Sequence, residues 1–81
     1  MKSINVFVKF PLTLESITGQ SEMKLILNDG APFVFLLHSI FTSYPEIRKR
    51  YPPGELAFTL NNRRPIGNES LYDGDQVVFY I

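Results

Sequence analysis

Hydrophobic and polar residues alternate with a period of two in two stretches near the start of the chain. Every second residue is apolar from Ser3 to Phe10, and the same alternation returns from Glu22 to Leu27. This pattern is typical of strands that bury one face, and Pro11 ends the first strand because proline cannot donate a ladder hydrogen bond. We therefore predict an antiparallel hairpin whose strands are joined by a connection over Leu12–Gly19. The predicted core positions are Ile4, Val6, Val8, Phe10, Met23, Leu25 and Leu27.

The middle of the chain has the periodicity of a helix instead. Proline suits a first helical turn and also ends a helix, so we predict a helix over Pro32–Tyr44 and one further turn over Glu46–Tyr51. The residues that recur on its core-facing side are Phe33, Leu36, Leu37, Ile40 and Tyr44, flanked by Phe41. Val34 and Phe35 fall on the opposite side. Either the helix is rotated or the loop after Tyr51 covers them, or they form a second contact surface.

The last third of the chain predicts further strands. Leu56–Leu60 alternates, and Asn61-Asn62 is a turn pair because Asn tolerates left-handed backbone geometry. Arg63–Ile66 is a short edge strand at best, since it contains a proline. The Asp73-Gly74-Asp75 turn then leads into a final strand over Gln76–Ile81.

The predicted elements follow the order β-β-α-β-β-β in one domain that spans residues 1–81. The crossover that contains the helix is long enough for the last strand to pair parallel with the first. Leu71 is expected to anchor the preceding loop in the core. We therefore expect an α+β fold, a β-grasp (ubiquitin-like) roll in which one main helix packs on a four- to five-stranded mixed sheet.

Composition narrows the function classes. Eight basic residues balance eight acidic ones, so no net field steers the chain to nucleic acid or to an anionic membrane. No stretch approaches the ~18 apolar residues of a membrane span, and no Cys is present for a disulfide or a thiolate site. A small domain without disulfides suggests the cytoplasm. We expect a cytoplasmic protein, monomeric when free, that binds no cofactor and no metal.

The polar residues do not indicate an enzyme. His38 is the single His and has neither a second metal ligand nor a recognisable Ser nucleophile motif to act with. The carboxylates lie in loops or at element ends, where nothing pairs two of them in a cleft. The basic clusters Arg48-Lys49-Arg50 and Arg63-Arg64 are interpreted as solvated surface. RNA binding is the alternative, and the zero net charge disfavours it.

The sheet face turned away from the helix is the candidate functional surface. Strand alternation places five residues on it, and Ile81 ends the same strand as two of them. One interpretation is scattered surface apolar residues, which are normal; the other is a face that docks a protein partner. The candidate partner-binding residues are Phe7, Ala57, Thr59, Val78, Tyr80 and Ile81.

Five segments in order resemble the MoaD/ThiS family of ubiquitin-like sulfur carriers, and MoaD more than ThiS. The most specific is the entry to the last strand, similar to the family's Leu-x-Asp-Gly-Asp-Glu-Val. The five segments are Leu14-Glu15-Ser16-Ile17-Thr18-Gly19, Asn28-Asp29-Gly30-Ala31, Tyr44-Pro45-Glu46-Ile47, Leu60-Asn61-Asn62 and Leu71-Tyr72-Asp73-Gly74-Asp75-Gln76-Val77.

The resemblance implies a β-grasp protein of molybdopterin-cofactor biosynthesis or sulfur transfer. Its implied partner is the large synthase subunit or an E1-like activating enzyme, docked on the sheet face and the C-terminal tail. Family members carry sulfur on a terminal Gly-Gly, whereas this sequence stops at Ile81. From the sequence as given we expect protein–protein docking without the usual carrier chemistry. The alternative is a ubiquitin-like interaction or accessory subunit with no sulfur-carrier activity.

Overall fold

The structure is a computed structural model that describes residues 2–52 and 54–80. Three helices and four strands follow one another along these residues. They are β1 (Ser3–Lys9), α1 (Leu12–Thr18), β2 (Glu22–Asn28), α2 (Phe33–Ser43), α3 (Pro45–Arg50), β3 (Ala57–Leu60) and β4 (Gln76–Tyr80).

The four strands form one mixed sheet in the order β2-β1-β4-β3. β1 and β2 are antiparallel, with Ser3 opposite Asn28 and Lys9 opposite Glu22. β4 runs parallel to β1 and antiparallel to β3. The hairpin, the parallel pairing of the first and last strands and the α+β β-grasp fold are therefore as predicted.

The connection between β1 and β2 differs from the prediction because it contains a helix. Pro11 precedes α1, and Gly19 ends it with a left-handed φ of 75° while its N–H donates to the Glu15 carbonyl at 2.8 Å. Leu14 is fully buried and fixes α1 on the core. A seven-residue helix with two core-facing positions is too short to show a clear period in the sequence.

The segment after β3 also differs from its prediction. Only Arg63 makes an isolated bridge, to Leu60, so Arg63–Ile66 does not form an edge strand. Pro65 explains this because its nitrogen carries no hydrogen to donate. The predicted extra turn does form, as α3, and it buries Ile47.

The core lies between the sheet and the three helices. Phe79 of β4 is at its centre, with its ring centroid 4.8 Å from that of Phe58, 5.5 Å from Phe10 and 6.5 Å from Phe41. The pairs with Phe58 and Phe10 are edge-to-face, a geometry that stabilises the core beyond the burial of apolar area. The buried apolar residues are Ile4, Val6, Val8, Phe10, Leu14, Leu27, Phe33, Leu36, Ile40, Ile47, Leu60, Leu71, Val77 and Phe79.

The Asp-Gly-Asp turn before β4 attaches that strand to β1. The Asn5 N–H donates to Asp73 Oδ1 at 2.8 Å, and the Gly74 N–H donates to the Asn5 carbonyl at 2.8 Å. The Phe7 N–H donates to the Asp75 carbonyl at 2.9 Å. We call these three contacts the β1 latch. They extend the parallel ladder through a turn, so the residues that carry the sequence motif have a structural role here.

The same turn is tied to the loop after β3. Asn61 and Asn62 both have a positive φ, 53° and 65°, which confirms the predicted turn pair. Asn61 Nδ2 donates to Asp75 Oδ1 at 3.0 Å, and the Gln76 N–H donates to Asn61 Oδ1 at 2.9 Å. Side chains therefore complete the backbone hydrogen bonding at the end of the β3–β4 pair where β3 stops and β4 begins.

The loop between β3 and β4 is held by a charged pair. Arg63 forms a bidentate pair with Glu69, and the Ile66 N–H donates to the Glu69 carboxylate at 2.7 Å. The hydrogen bond from Arg63, with help from Ile66, lowers the pKa of Glu69 to about 2. The neighbouring Asn68 caps α2 by accepting the Val34 N–H at 2.8 Å.

Candidate partner-docking face

The outer face of the sheet lies opposite the helices. In each strand it is made by the residues that alternate with the core positions, because successive side chains of a strand point to opposite sides. Its members are Ser3, Asn5, Phe7, Lys9, Glu22, Lys24, Ile26, Asn28, Ala57, Thr59, Gln76, Val78 and Tyr80.

Four of the predicted partner-binding residues are brought together by the β3–β4 pairing. Ala57 lies opposite Tyr80, and Thr59 lies opposite Val78. Directly opposed side chains have Cβ atoms about 4.5–5.5 Å apart, so the two pairs form one patch. Tyr80 is 47 % exposed and is the largest side chain in it.

Phe7 shares the outer face but is not a direct neighbour of that patch. It lies opposite Gln76 on one side and Lys24 on the other. Val78 instead lies opposite Lys9, so Phe7 and Val78 are diagonal neighbours. A diagonal separation of about 7–8 Å is within reach of an aromatic side chain. Ile81, the sixth predicted residue, lies outside the described residues.

Sequence reasoning missed Ile26 as a member of this surface. Ile26 lies opposite Asn5 on β2 and is 65 % exposed. The alternation of β2 already indicated that the Ile26 side chain points outward. Its position next to the other outer-face residues depends on the register between strands, which the periodicity of one strand does not give.

The register aligns these residues into a diagonal apolar stripe. Each step from one strand to the next advances two residues along the direction of β1. We define the outer stripe as Ile26, Phe7, Val78 and Ala57, widened at its β3–β4 end by Thr59 and Tyr80. Charged and amide side chains flank it, namely Lys9, Glu22, Lys24 and Gln76.

The other candidate residues are placed elsewhere. Val34 and Phe35 are 55 % and 49 % exposed on α2, so the predictions of a rotated helix or a covering loop are wrong for the described residues. His38 is also exposed on α2. The possibility that Val34 and Phe35 form a second contact surface stays a prediction.

The basic clusters make contacts within the chain. Lys49 and Arg50 approach Glu46 at 3.8 and 4.0 Å, and the Arg48 guanidinium lies 5.0 Å from the centroid of the Phe41 ring. Arg63 is paired with Glu69. These contacts favour the interpretation of the clusters as solvated surface over the alternative of an RNA-binding site.

Within residues 2–52 and 54–80, no three side chains of His, Asp or Glu converge in a way that could hold a metal ion. Over the same residues, each helix is too short or too polar to cross a bilayer.

No protein-family model and no curated protein sequence matches the chain. Solved structures do. A protein assigned as molybdopterin converting factor subunit 1 from Pyrococcus furiosus has a TM-score of 0.82 and 23 % identity, over 94 % of both chains. Small archaeal modifier protein 1 from H. volcanii has a TM-score of 0.77 and 13 % identity, also over 94 % of both chains. Its counterpart from Methanosarcina acetivorans has a TM-score of 0.75 and 20 % identity, over 98 % of this chain and 93 % of that chain. At these identities the likeness establishes the ubiquitin-like β-grasp fold.

Proposed function

We propose that this β-grasp chain is a MoaD/ThiS-like small protein of molybdopterin-cofactor biosynthesis or sulfur transfer, and that it acts by docking a protein partner on its outer stripe. The order of the MoaD-like segments along the chain and the shape shared with the Pyrococcus furiosus protein support this. The proposed partner is the large synthase subunit or an E1-like activating enzyme. The chain itself acts in the cytoplasm as a carrier or accessory subunit and not as the catalyst.

The observation that carries the proposal is the continuity of the outer stripe. Apolar side chains follow one line across all four strands, and polar side chains flank that line. Protein interfaces have this arrangement of an apolar centre and a polar rim. The helices pack on the opposite face of the sheet and hold its strands in place. The outer stripe is therefore ordered before it binds, which lowers the entropy cost of docking.

A ubiquitin-like modifier or accessory subunit without sulfur-carrier activity is the second candidate. The fold shared with two small archaeal modifier proteins favours it. Both candidates use the same docking face and differ in the chemistry of the C-terminal end. Intact-mass analysis of the protein purified from its native host separates them. A thiocarboxylate form supports the carrier, whereas a carboxylate that persists after incubation with ATP, the activating enzyme and sulfide as the sulfur donor supports the accessory subunit.

The docking face is tested by titration calorimetry against the large synthase subunit and the activating enzyme of the same host. Val78→Asp and Tyr80→Ala are expected to weaken binding about tenfold or more, because they put a charge into the stripe or remove its largest side chain. Phe35→Ala is the matched control for Tyr80→Ala, since Phe35 and Tyr80 are 49 % and 47 % exposed. Val34→Asp puts the same charge on α2, away from the outer stripe. Binding to either partner that survives both stripe variants unchanged would contradict the proposal for that partner.

A further inference from the structure

A hollow opens beside β3 on the helix side of the sheet, opposite the outer face. Its volume is about 190 Å³. This is below the range of about 300–1,000 Å³ that is usual for pockets that hold a cofactor or a drug-sized ligand. The hollow is therefore suited to a single large side chain. It is lined by Leu37, Phe41, Arg48, Tyr51, Leu56 and Phe58.

The edge of β3 next to this hollow has hydrogen-bonding groups to offer. β3 is the terminal strand of the sheet. The Leu60 N–H points away from β4, because it donates to the Arg63 carbonyl at 2.7 Å. Backbone groups alternate along a strand, so the N–H and C=O of Phe58 point the same way. Arg63 therefore covers the edge at Leu60, and the edge at Phe58 stays open to a partner strand in the part of the chain that the structure describes.

The charged side chain that lines the hollow is Arg48, on α3. α3 carries Arg48, Lys49 and Arg50 against one acid, Glu46. Lys49 and Arg50 both approach Glu46. Among the described residues Arg48 makes no carboxylate pair. Its guanidinium is instead held over the Phe41 ring at 5.0 Å. A stacked guanidinium keeps its N–H donors for a carboxylate and is already ordered before it binds.

We propose that the β3 edge and this hollow bind an extended acidic peptide segment of a partner protein. The backbone of the segment pairs with Phe58, and one large aliphatic side chain enters the hollow. An Asp or Glu two residues further along lies on the same face of the added strand and meets Arg48. Strand addition of this kind takes affinity from main-chain hydrogen bonds and specificity from a pocket for alternate side chains. The positive charge of Arg48 favours an acidic segment over a basic one.

This site lies on the other side of the sheet from the outer stripe. The peptide site does not depend on the identity of the docking partner, and either proposal can fail without the other.

Amide chemical-shift mapping tests the peptide site. The probe is a terminally blocked hexapeptide, Ser-Thr-Leu-Asp-Asp-Ser, compared with the same peptide carrying two Lys in place of the two Asp. We expect shifts at Phe58 and at the residues around the hollow, with the acidic peptide bound more tightly. Arg48→Glu is expected to weaken the acidic peptide about five- to tenfold and to strengthen the basic one. Lys49→Glu, with the same charge change one residue away, should have a clearly smaller effect.

A second probe tests the strand pairing without altering the protein. The acidic peptide with an N-methyl group on its Leu has lost that backbone donor, and we expect its shifts at Phe58 to disappear. Shifts confined to the outer face, or equal binding of the acidic and basic peptides, would overturn the proposal. Shifts at Phe58 that grow with protein concentration and do not change with added peptide would show that a second copy of the chain occupies the edge, and would overturn it as well.

Discussion

The two neighbours of β4 are secured in different ways. β1 has seven residues, is paired on both sides, and is joined to the turn before β4 by the β1 latch. β3 has four residues, is paired on one side, and within the described part of the chain is bridged at its outer edge at Leu60 alone. The comparison teaches that polar turn residues fix the centre of the sheet, while the shorter edge strand is held by fewer contacts.

The Phe79 ring packs against Phe58 of β3 and against Phe10, which follows β1. Its removal should therefore have the largest effect on stability. Phe79→Ala is expected to lower the free energy of unfolding by about 3–5 kcal/mol, because it empties the centre of the aromatic cluster. Tyr80→Ala is the matched comparison, since the next residue is 47 % exposed; it should cost under about 1 kcal/mol. Urea denaturation measures both. Equal losses in the free energy of unfolding would show that the core-facing and outward-facing residues of β4 contribute equally to stability.

The β1 latch is expected to have the next largest effect. Asp73→Ala removes the acceptor of the Asn5 N–H and should cost about 1–2 kcal/mol. Amide exchange of Asn5 should accelerate, while exchange in β3 should change less. Asp73→Asn keeps an oxygen at the same position and should restore most of the loss. If Asn fails to restore it, the hydrogen bond is not the cause.

On the β3 side, Thr59 offers a change that should stabilise the protein. Its Oγ1 is buried without a hydrogen-bond partner among the described residues. Thr59→Val replaces the hydroxyl by a methyl group of similar shape and should raise the free energy of unfolding by about 1 kcal/mol. Thr59→Ser keeps the hydroxyl and should not. Thermal unfolding of the two variants decides whether the buried hydroxyl is destabilising.

The smallest expected effect is that of the pair that closes the loop after β3. In the folded protein the pKa of Glu69 is about 2, against an ordinary value of 4.5. A lowered pKa stabilises the fold above the ordinary value, and this contribution is lost as the pH falls from 4.5 toward 2. Glu69→Gln should therefore lower stability slightly at neutral pH and flatten the acid limb of a stability–pH curve.

Glu46→Gln is the control for that curve, because Glu46 contacts its basic partners at 3.8 and 4.0 Å on the exposed surface of α3. Exposed pairs of this kind contribute little. A Glu46→Gln curve as flat as that of Glu69→Gln would show that the bidentate geometry of the Arg63 pair has no special effect.

Much of the fold could be predicted because its main elements have clear periods. The alternation in β1 and β2 and the helical spacing in α2 identified much of the core, including Ile4 and Leu36. α1 was missed because it is short. Arg63–Ile66 was predicted as a short edge strand at best, and in the structure this segment makes a single bridge, from Arg63 to Leu60.

Strand alternation predicted which residues lie on the outer face of the sheet, but not how they are arranged on it. Alternation placed Phe7 and Val78 on one face, but their diagonal relation and the part played by Ile26 depend on the register of three strand pairs. The hollow at β3 was not predictable, since it arises where α2 and α3 meet the sheet. Contacts between elements that are distant in sequence leave no period to detect.

The alternation of β4 has a consequence for how such a protein can change over generations. Val77 and Phe79 face the core, while Val78 and Tyr80 face the outer side of the sheet, so the fold and the proposed docking surface share one strand. One residue inserted into the turn before it would exchange the two sets and place Tyr80 in the core. Substitutions can therefore change the outer face one residue at a time without disturbing the core, whereas a change in the length of the Asp73-Gly74-Asp75 turn would alter both.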